Sequence, residues 1–327
     1  ISVEKMEEKS GRGTSTVRIL FWGAPGFAVP SLRCLVANGH QVVGVVTPPD
    51  RPAGRGRSLR STAVKDEALR HDFLILEPED LSDPGFEGAL EATRADACIV
   101  VAYGKKITKS ILEMFPLGCI NVHASLLPLL RGAAPINWAI IRGFTESGVT
   151  VMHMVEEMDA GPILFQLREK IRVTDTAYDL EKRLAVLGAE ALGRALEPLE
   201  NGLLRGEVQD ESIVTYAPKI DKGMARIDWS QRASSIAHLI RGMDRLPGAW
   251  SVLMDKPTKL FQAIPSTESV SGVLPGTVLE ANSTSGLKVA TGQGVLEIQQ
   301  IQPPGKKRMS ACSWIRGRGT EAGQRFQ

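Results

Sequence analysis

Four cysteines, Cys34, Cys98, Cys119 and Cys312, are spread over 327 residues, with no C-x-x-C pair and no histidine spaced to complete a ligand set. Neither a disulfide framework nor a zinc site is indicated. The five histidines do not cluster, so no metal is expected. Scattered thiols suit a reducing cytoplasm. Long apolar runs are missing as well: none approaches the roughly 20 residues that cross a bilayer, and no membrane partner is expected. There is no internal repeat and no coiled-coil period. Residues 1–16 mix Glu4, Glu7 and Glu8 with Lys5, Lys9 and Arg12 around Gly11 and Gly13. That is not a signal peptide, and it is too acidic for a transit peptide. It reads as a disordered tail, and the compartment as a cytoplasm, bacterial in preference to an organelle matrix.

What is present suits a two-domain globular protein. The length exceeds what one core usually serves, and 43% of the residues are hydrophobic. A net charge of +2 conceals an asymmetry. Residues 1–210 carry 24 Lys and Arg against 28 Asp and Glu, and residues 211–327 carry 15 against 9. A basic module facing a polyanion, joined to a module for small molecules, fits this split, although a basic surface is more often only a solvated face.

Along the first 202 residues apolar strands alternate with helices. Strands are expected at 17–22, 41–47, 73–76 and 96–102, and helices at 29–38, 62–71 and 86–94, the first with Pro30 near its start and Gly39 past its end. This order argues an α/β domain with a doubly wound sheet. Gly23 and Gly26 lack dinucleotide-fingerprint spacing, and no acidic residue closes the second strand, so a nicotinamide cofactor is set aside. Between 48 and 60, Arg51, Arg55, Arg57 and Arg60 face the single Asp50 among prolines and glycines that should prevent regular structure. Such a loop is either solvated or in contact with phosphates, which match the planar donor fork of Arg.

A fifth strand, 119–123, carries Asn121 and His123 on one face. It opens into Ala124-Ser125-Leu126-Leu127-Pro128, and Pro135 starts a helix to 142. Strands at 149–154 and 163–173 flank Met158-Asp159-Ala160-Gly161-Pro162, a turn around one carboxylate. A helix at 176–200 ends at Asn201-Gly202. Residues 203–227 read as a linker. From 228 to 327, a helix at 233–242 precedes five short strands separated by Gly, Pro, Asn and Ser, which suggests a small antiparallel β-barrel of oligonucleotide-binding type.

Alone, His123 reads as a hydrogen-bonded core histidine. Asp159 adds a carboxylate able to orient it, and Asn121, His123 and Asp159 together would make an acyl-transfer site without a nucleophilic side chain. Asn121 and protonated His123 would donate to an oxyanion while Asp159 holds the imidazole. Ser125 lacks a nucleophile elbow and reads as part of a loop brace.

Asn121-Val122-His123-Ala124-Ser125-Leu126-Leu127-Pro128, Arg131-Gly132-Ala133-Ala134-Pro135-Ile136, Gly148-Val149-Thr150 and Met158-Asp159-Ala160-Gly161-Pro162 resemble the signature of the 10-formyltetrahydrofolate-dependent formyltransferases. The resemblance spans about 17–309. It departs from the family's usual pattern at Gly26, where Asp is usual, and at Glu157, where Gly is common. It implies a Rossmann-like, mostly parallel sheet followed by an OB-like domain, with Asn121, His123 and Asp159 as catalytic residues. It also implies 10-formyltetrahydrofolate as formyl donor, held at Tyr103, Gly104, Ser125, Leu126, Leu127 and Pro128, with no metal and no covalent enzyme intermediate. The segments 49–56, 208–210, 215–220, 225–230 and 302–307 resemble the branch whose acceptor is methionyl initiator tRNA. Arg51, Arg55 and Arg57, with Lys306 and Lys307 beyond the last strand, are then expected to meet the tRNA, the enzyme acting as a monomer. Relatives acting on an amino sugar nucleotide or hydrolysing the folate lack this arginine loop, and a folate or RNA binder with an inert site is the rival of another class.

Overall fold

The computed structural model describes residues 17–53, 58–200, 205–268 and 270–327; the expected tail, Arg55 and Arg57 lie outside them. The first domain is a seven-stranded sheet. Strands β1 (Arg18–Gly23) and β2 (Gln41–Val46) lead to a short antiparallel pair, β3 (Arg51–Ala53) with β4 (Ser58–Arg60), and the sheet resumes with β5 (Ile75–Leu76), β6 (Ala97–Val101) and β7 (Cys119–His123). Strands β8 (Glu146–His153) and β9 (Ile163–Lys170) complete it, in the order β5-β2-β1-β6-β7-β8-β9. The first five strands are parallel, and β8 and β9 are antiparallel. This is the Rossmann-like, mostly parallel sheet the sequence led us to expect.

Strand periodicity places the helices on both faces. Ile19 and Phe21 of β1, Ile99 and Val101 of β6, and Ile120 and Val122 of β7 join one core. It is completed by α1 (Val29–Ala37), α2 (Ala63–Arg70), α5 (Pro135–Ile141) and α6 (Ala177–Glu200). Leu20, Trp22, Cys98, Val100 and Cys119 point the other way, against α3 (Pro84–Ala92) and α4 (Lys109–Leu112). Each fully buried large side chain, such as Phe21 or Trp22, contributes about 1.5–3 kcal/mol on removal from water. Asn121 and His123 share the side of β7 that carries Cys119, opposite the α6 core.

The second domain packs α7 (Ala233–Gly242) and α8 (Ala311–Arg316) against an antiparallel sheet ordered β10 (Trp250–Leu253), β11 (Lys256–Ser266), β14 (Val295–Gln302), β13 (Gly286–Ala290), β12 (Val278–Asn282), with β15 (Met309–Ser310) on β14. The sheet is a half-barrel whose ends, β10 and β12, are bridged by residues 324–327. Phe326 and Gln324 hydrogen-bond to Gly276 and Val278, Gln327 exchanges two bonds with Val252, and the Phe326 ring is buried in the core. Between the domains Asn137 Nδ2 donates to Gly242 O at 2.7 Å, Arg241 Nη1 donates to Asp175 O at 2.8 Å, and the Arg245 guanidinium lies 3.6 Å from the centre of the Tyr178 ring.

Several local readings change. The segment around Arg51 is not wholly irregular, because β3 and β4 pair as Arg51 with Arg60, Pro52 with Leu59 and Ala53 with Ser58; a proline is tolerated in so short, isolated a pair. The strand expected at 73–76 narrows to Ile75–Leu76. Helices α4 and α8 went unread because four and six residues are too short for a 3.6-residue period to show. The segment expected as a linker, from 205 onward, is tied to both domains: Glu207 pairs with Ile163, Tyr216 with Arg131, and Ala225 and Ile227 are buried in the second core.

Candidate functional site

Three pieces of chain converge at the C-terminal end of β7. The strand ends at His123, paired to Thr150 of β8, and the residues after it turn back so that the Leu130 carbonyl accepts from His123 Nε2 at 3.1 Å. With Nε2 committed, Nδ1 is the nitrogen that faces Asp159, 3.7 Å from its Oδ2. His123 is buried and Asp159 nearly so. The gap exceeds a hydrogen bond, as is common where catalytic contacts tighten only around substrate.

Asp159 reaches this position because residues 154–162 fold back across the sheet. Its own backbone is left-handed, φ +53°, a conformation Asp tolerates better than most residues. A Cβ on Gly161 would lie 1.8 Å from His153 O, so no other residue lets the loop return so tightly. Asp159 Oδ2 accepts from Gly132 N at 2.8 Å. Gly132, at φ +119°, has no room for a Cβ beside Ala217 O. Among the described residues the Asn121 side-chain amide has no partner, and it is only partly buried, so it is free to meet a ligand. The structure thus brings His123 and Asp159 together, with Asn121 on the same face of β7 as His123.

The loop after β7 is cross-linked by hydrogen bonds. Ser125 is buried and its hydroxyl donates to Leu129 O at 2.6 Å, so this oxygen is part of a turn and does not face an attacking position. Thr150 Oγ1 donates to Ser125 O and accepts from Leu127 N and Gln166 Nε2, and Gln166 also donates to Leu127 O. Leu126, Leu127 and Pro128 line a cavity of about 490 Å³ with Phe144, Gln166 and Ile213; Asn121, His123 and Asp159 do not line it.

At the end of β6, Tyr103 is buried with its ring edge-on to Trp22, centroids 4.9 Å apart, and burial pushes its hydroxyl up to about 12. Its side chain belongs to the core, leaving only backbone to a ligand. Ala102 and Gly104 on either side are exposed and left-handed, at φ +49° and +84°. Gly26 has open space around it, and Glu157 is exposed, so neither departure from the family pattern disturbs the site's packing. Arg51 is exposed on β3, and Lys306 and Lys307 are exposed in the turn between β14 and β15. The described residues contain no group of three or more His, Cys, Asp or Glu able to hold a metal, and no described helix is long and apolar enough to cross a membrane.

Two residues that the sequence shows only as members of the segments 131–136 and 208–210, with no role of their own, are Arg131 and Gln209. Arg131 is buried, and its Nε and Nη2 both donate to Gln209 Oε1, at 3.0 and 2.8 Å. Gln209 Nε2 donates to the carbonyls of Asp159 and Gly161, each at 2.8 Å. An arginine next to a Gly-rich turn was the available signal, since such a cation, once buried, must have partners.

Comparison with known proteins bears on the same residues. A family model described as formyl transferase matches residues 17–196, and one described as formyl transferase, C-terminal domain, matches 219–319. A methionyl-tRNA formyltransferase of Thiobacillus denitrificans is 42% identical over 310 residues, covering 95% of this chain and 99% of that protein. One from Hydrogenovibrio crunogenus is 43% identical over 305 residues, covering 93% and 97%. Among solved structures, HypX from Aquifex aeolicus in complex with tetrahydrofolic acid aligns with a TM-score of 0.64 at 22% identity, over 91% of this chain and 47% of that one. An N-formyltransferase from Helicobacter canadensis, bound to folinic acid and dTDP-3-aminofucose, aligns at 0.65 and 17% identity, over 90% of this chain and all of its own. At those identities the structures speak for the fold alone.

Proposed function

We propose that this chain, which belongs to the formyl transferase family, moves a formyl group from 10-formyltetrahydrofolate to the amino group of methionyl initiator tRNA. The observation that carries the reading is a polar trio at a strand end with no nucleophile in it: Asn121 unpartnered, His123 Nδ1 facing Asp159, and the Ser125 hydroxyl spent inside its turn. Direct attack is the chemistry left to such a site. The amine nitrogen bonds to the formyl carbon, and the negative charge on its oxygen meets the Asn121 amide and a proton on His123 Nδ1, Nε2 staying on the Leu130 carbonyl. As the tetrahedral species collapses, the bond from the formyl carbon to folate N10 breaks. The proton lost by the amine passes through the His123–Asp159 pair toward that nitrogen. No enzyme bond forms, and no metal is required.

The folate ring is read against the backbone of Tyr103 and Gly104 and the Ser125-Leu126-Leu127-Pro128 turn, where exposed left-handed residues present peptide groups to a flat heteroaromatic. Arg51, Arg55 and Arg57 are read as meeting the acceptor end, and Lys306 and Lys307 the phosphates farther along the tRNA. The protein acts as a monomer in a bacterial-type cytoplasm. The test is one turnover assay with 10-formyltetrahydrofolate and three acceptors, methionyl-tRNA, free methionine and an amino sugar nucleotide. Formyl-methionyl-tRNA is the expected product; formylation of the sugar nucleotide alone, or of nothing, would overturn the assignment.

A further inference from the structure

The three consecutive residues 130–132 hold both ionisable members of the trio. The Leu130 carbonyl fixes His123 Nε2, and the Gly132 amide fixes Asp159 Oδ2 at 2.8 Å. Between them Arg131 turns its side chain to Gln209, 78 residues away, and Gln209 grips the Asp159 backbone carbonyl. Every polar atom of the Gln209 side chain is used. Its oxygen accepts twice from the guanidinium, and its NH2 donates to the Asp159 and Gly161 carbonyls. The guanidinium settles which way the amide faces, because only the oxygen can accept from it. Arg131 is held in turn by Glu211, at 2.7 Å, and by a backbone exchange with Thr215 and Ala217.

We infer that the Arg131–Gln209 pair is a positioning device for Asp159: it sets the left-handed Asp159 turn at the height where the carboxylate meets Gly132 N and faces His123. Neither residue touches the reacting atoms. The inference rests on the proposed formyl transfer only for its kinetic readout. Gln209 belongs to the segment joining the two domains, so that segment is a working part of the site and not a tether.

The experiment is Gln209→Glu, with Gln209→Met beside it. A carboxylate at 209 still accepts the Arg131 fork, and accepts it more strongly, which keeps the fold anchored. It cannot donate to the two carbonyls and instead opposes them. The expected result is a kcat lower by on the order of 10²-fold, the loss that follows from displacing a reacting group by about 1 Å. KM for folate and for tRNA should stay within about twofold and the melting temperature should not fall, because a transition-state interaction is lost without uniform binding. Gln209→Met leaves the carbonyls unpaired without adding charge and also removes the acceptor of the Arg131 fork, so its melting temperature should fall, while kcat again drops with KM held within about twofold. Glu211→Gln, which removes only the exposed partner of Arg131, should keep near wild-type kcat.

Hydrogen exchange supplies a readout independent of turnover. The Gly132 amide should lose protection in both Gln209 variants while amides of the β6–β7 ladder keep theirs. If the wild-type protein formylates nothing, the assigned reaction fails and the exchange result still judges the pair. Unchanged kcat with unchanged Gly132 protection in a folded Gln209→Glu protein would overturn the inference. So would a kcat loss matched by equal loss of protection throughout the domain.

Discussion

Replacing Asp159 by Asn separates charge from shape at the centre of the site. Asn tolerates the left-handed backbone that residue 159 requires, φ +53°, and its side-chain oxygen can keep the Gly132 amide that Asp159 Oδ2 now accepts at 2.8 Å. What disappears is a negative charge 3.7 Å from His123 Nδ1, in a pair largely shielded from water. At that separation and an effective dielectric constant of about 20, the attraction to an imidazolium is about 4 kcal/mol. If the imidazole is charged as the amine attacks, that energy belongs to the transition state, and one decade of rate per 1.36 kcal/mol predicts a loss of about three decades in kcat. The assay is single-turnover formylation with both substrates saturating, paired with folate and tRNA binding measured at equilibrium. Binding should be unchanged within about threefold, since the charge stabilises a species formed after binding. A variant that keeps more than about a tenth of wild-type turnover would refute the reasoning, because a charge so close and so dry is then not felt by the reacting proton. A variant slowed only as far as its folate affinity falls would refute it differently, placing Asp159 in the ground state.

Asn121→Ala removes an oxyanion donor with no other partner among the described residues; kcat should fall by about 10²–10³-fold with the melting temperature unchanged, and a fall in thermal stability of the same order would make Asn121 structural. Replacing Lys306 and Lys307 together by Ala, on an exposed turn, should weaken tRNA binding and flatten its dependence on salt by about 1.5–2 in log–log slope; parallel salt curves would remove both lysines from the interface. Glu67 is a buried carboxylate on α2 gripped first by the Arg33 guanidinium and then by Arg70, and these hold it down to about 2, against an ordinary 4.5. Its folded value lies below its unfolded one, so its contribution is complete above about pH 4.5 and vanishes as pH falls through 2. Glu67→Gln should therefore lower the urea midpoint at pH 7, and the difference from wild type should close between those limits; a constant difference down to pH 2 would show that packing, not charge, holds Glu67.

The parts of this molecule that could be read in advance are those whose physics is local. Strand β7 was legible to the residue because period-2 alternation, a proline and two glycines all lie within fifteen positions of one another. The doubly wound α/β class followed from apolar strands alternating with helices, and α7 from its own periodicity. The β3–β4 pair was not legible, because its residues read as breakers and only a partner five to nine positions away makes them a ladder. Closure of the second domain by residues 324–327 was invisible for the same reason: Phe326 looks like any terminal aromatic until Gly276 and Val252 are placed on either side of it.

The site divides along the same line. Asn121 and His123 announce themselves by sharing a strand face, and Asp159 by the Gly-Pro turn that follows it. Their mutual distances depend on Gln209, whose side chain has no value except against Arg131, 78 residues earlier, and Asp159, 50 residues earlier. A glutamine in an apparently polar connector carries no periodicity and no charge to betray it. Yet it is 5% exposed, and a buried amide with four polar positions must have them all met. Burial could have pointed to it; the sequence had no means to show burial in a segment that lies between two cores. The glycine at 132 carries the complementary trace. It is needed because the connector, at Ala217 O, passes within 2.8 Å of where its Cβ would stand, so the demand for Gly in the signature loop is made by a strand of chain more than eighty residues away. A long signature is therefore not a self-contained site: part of its shape is imposed by the segment threaded behind it, and the position of Asp159 depends on that segment staying in place.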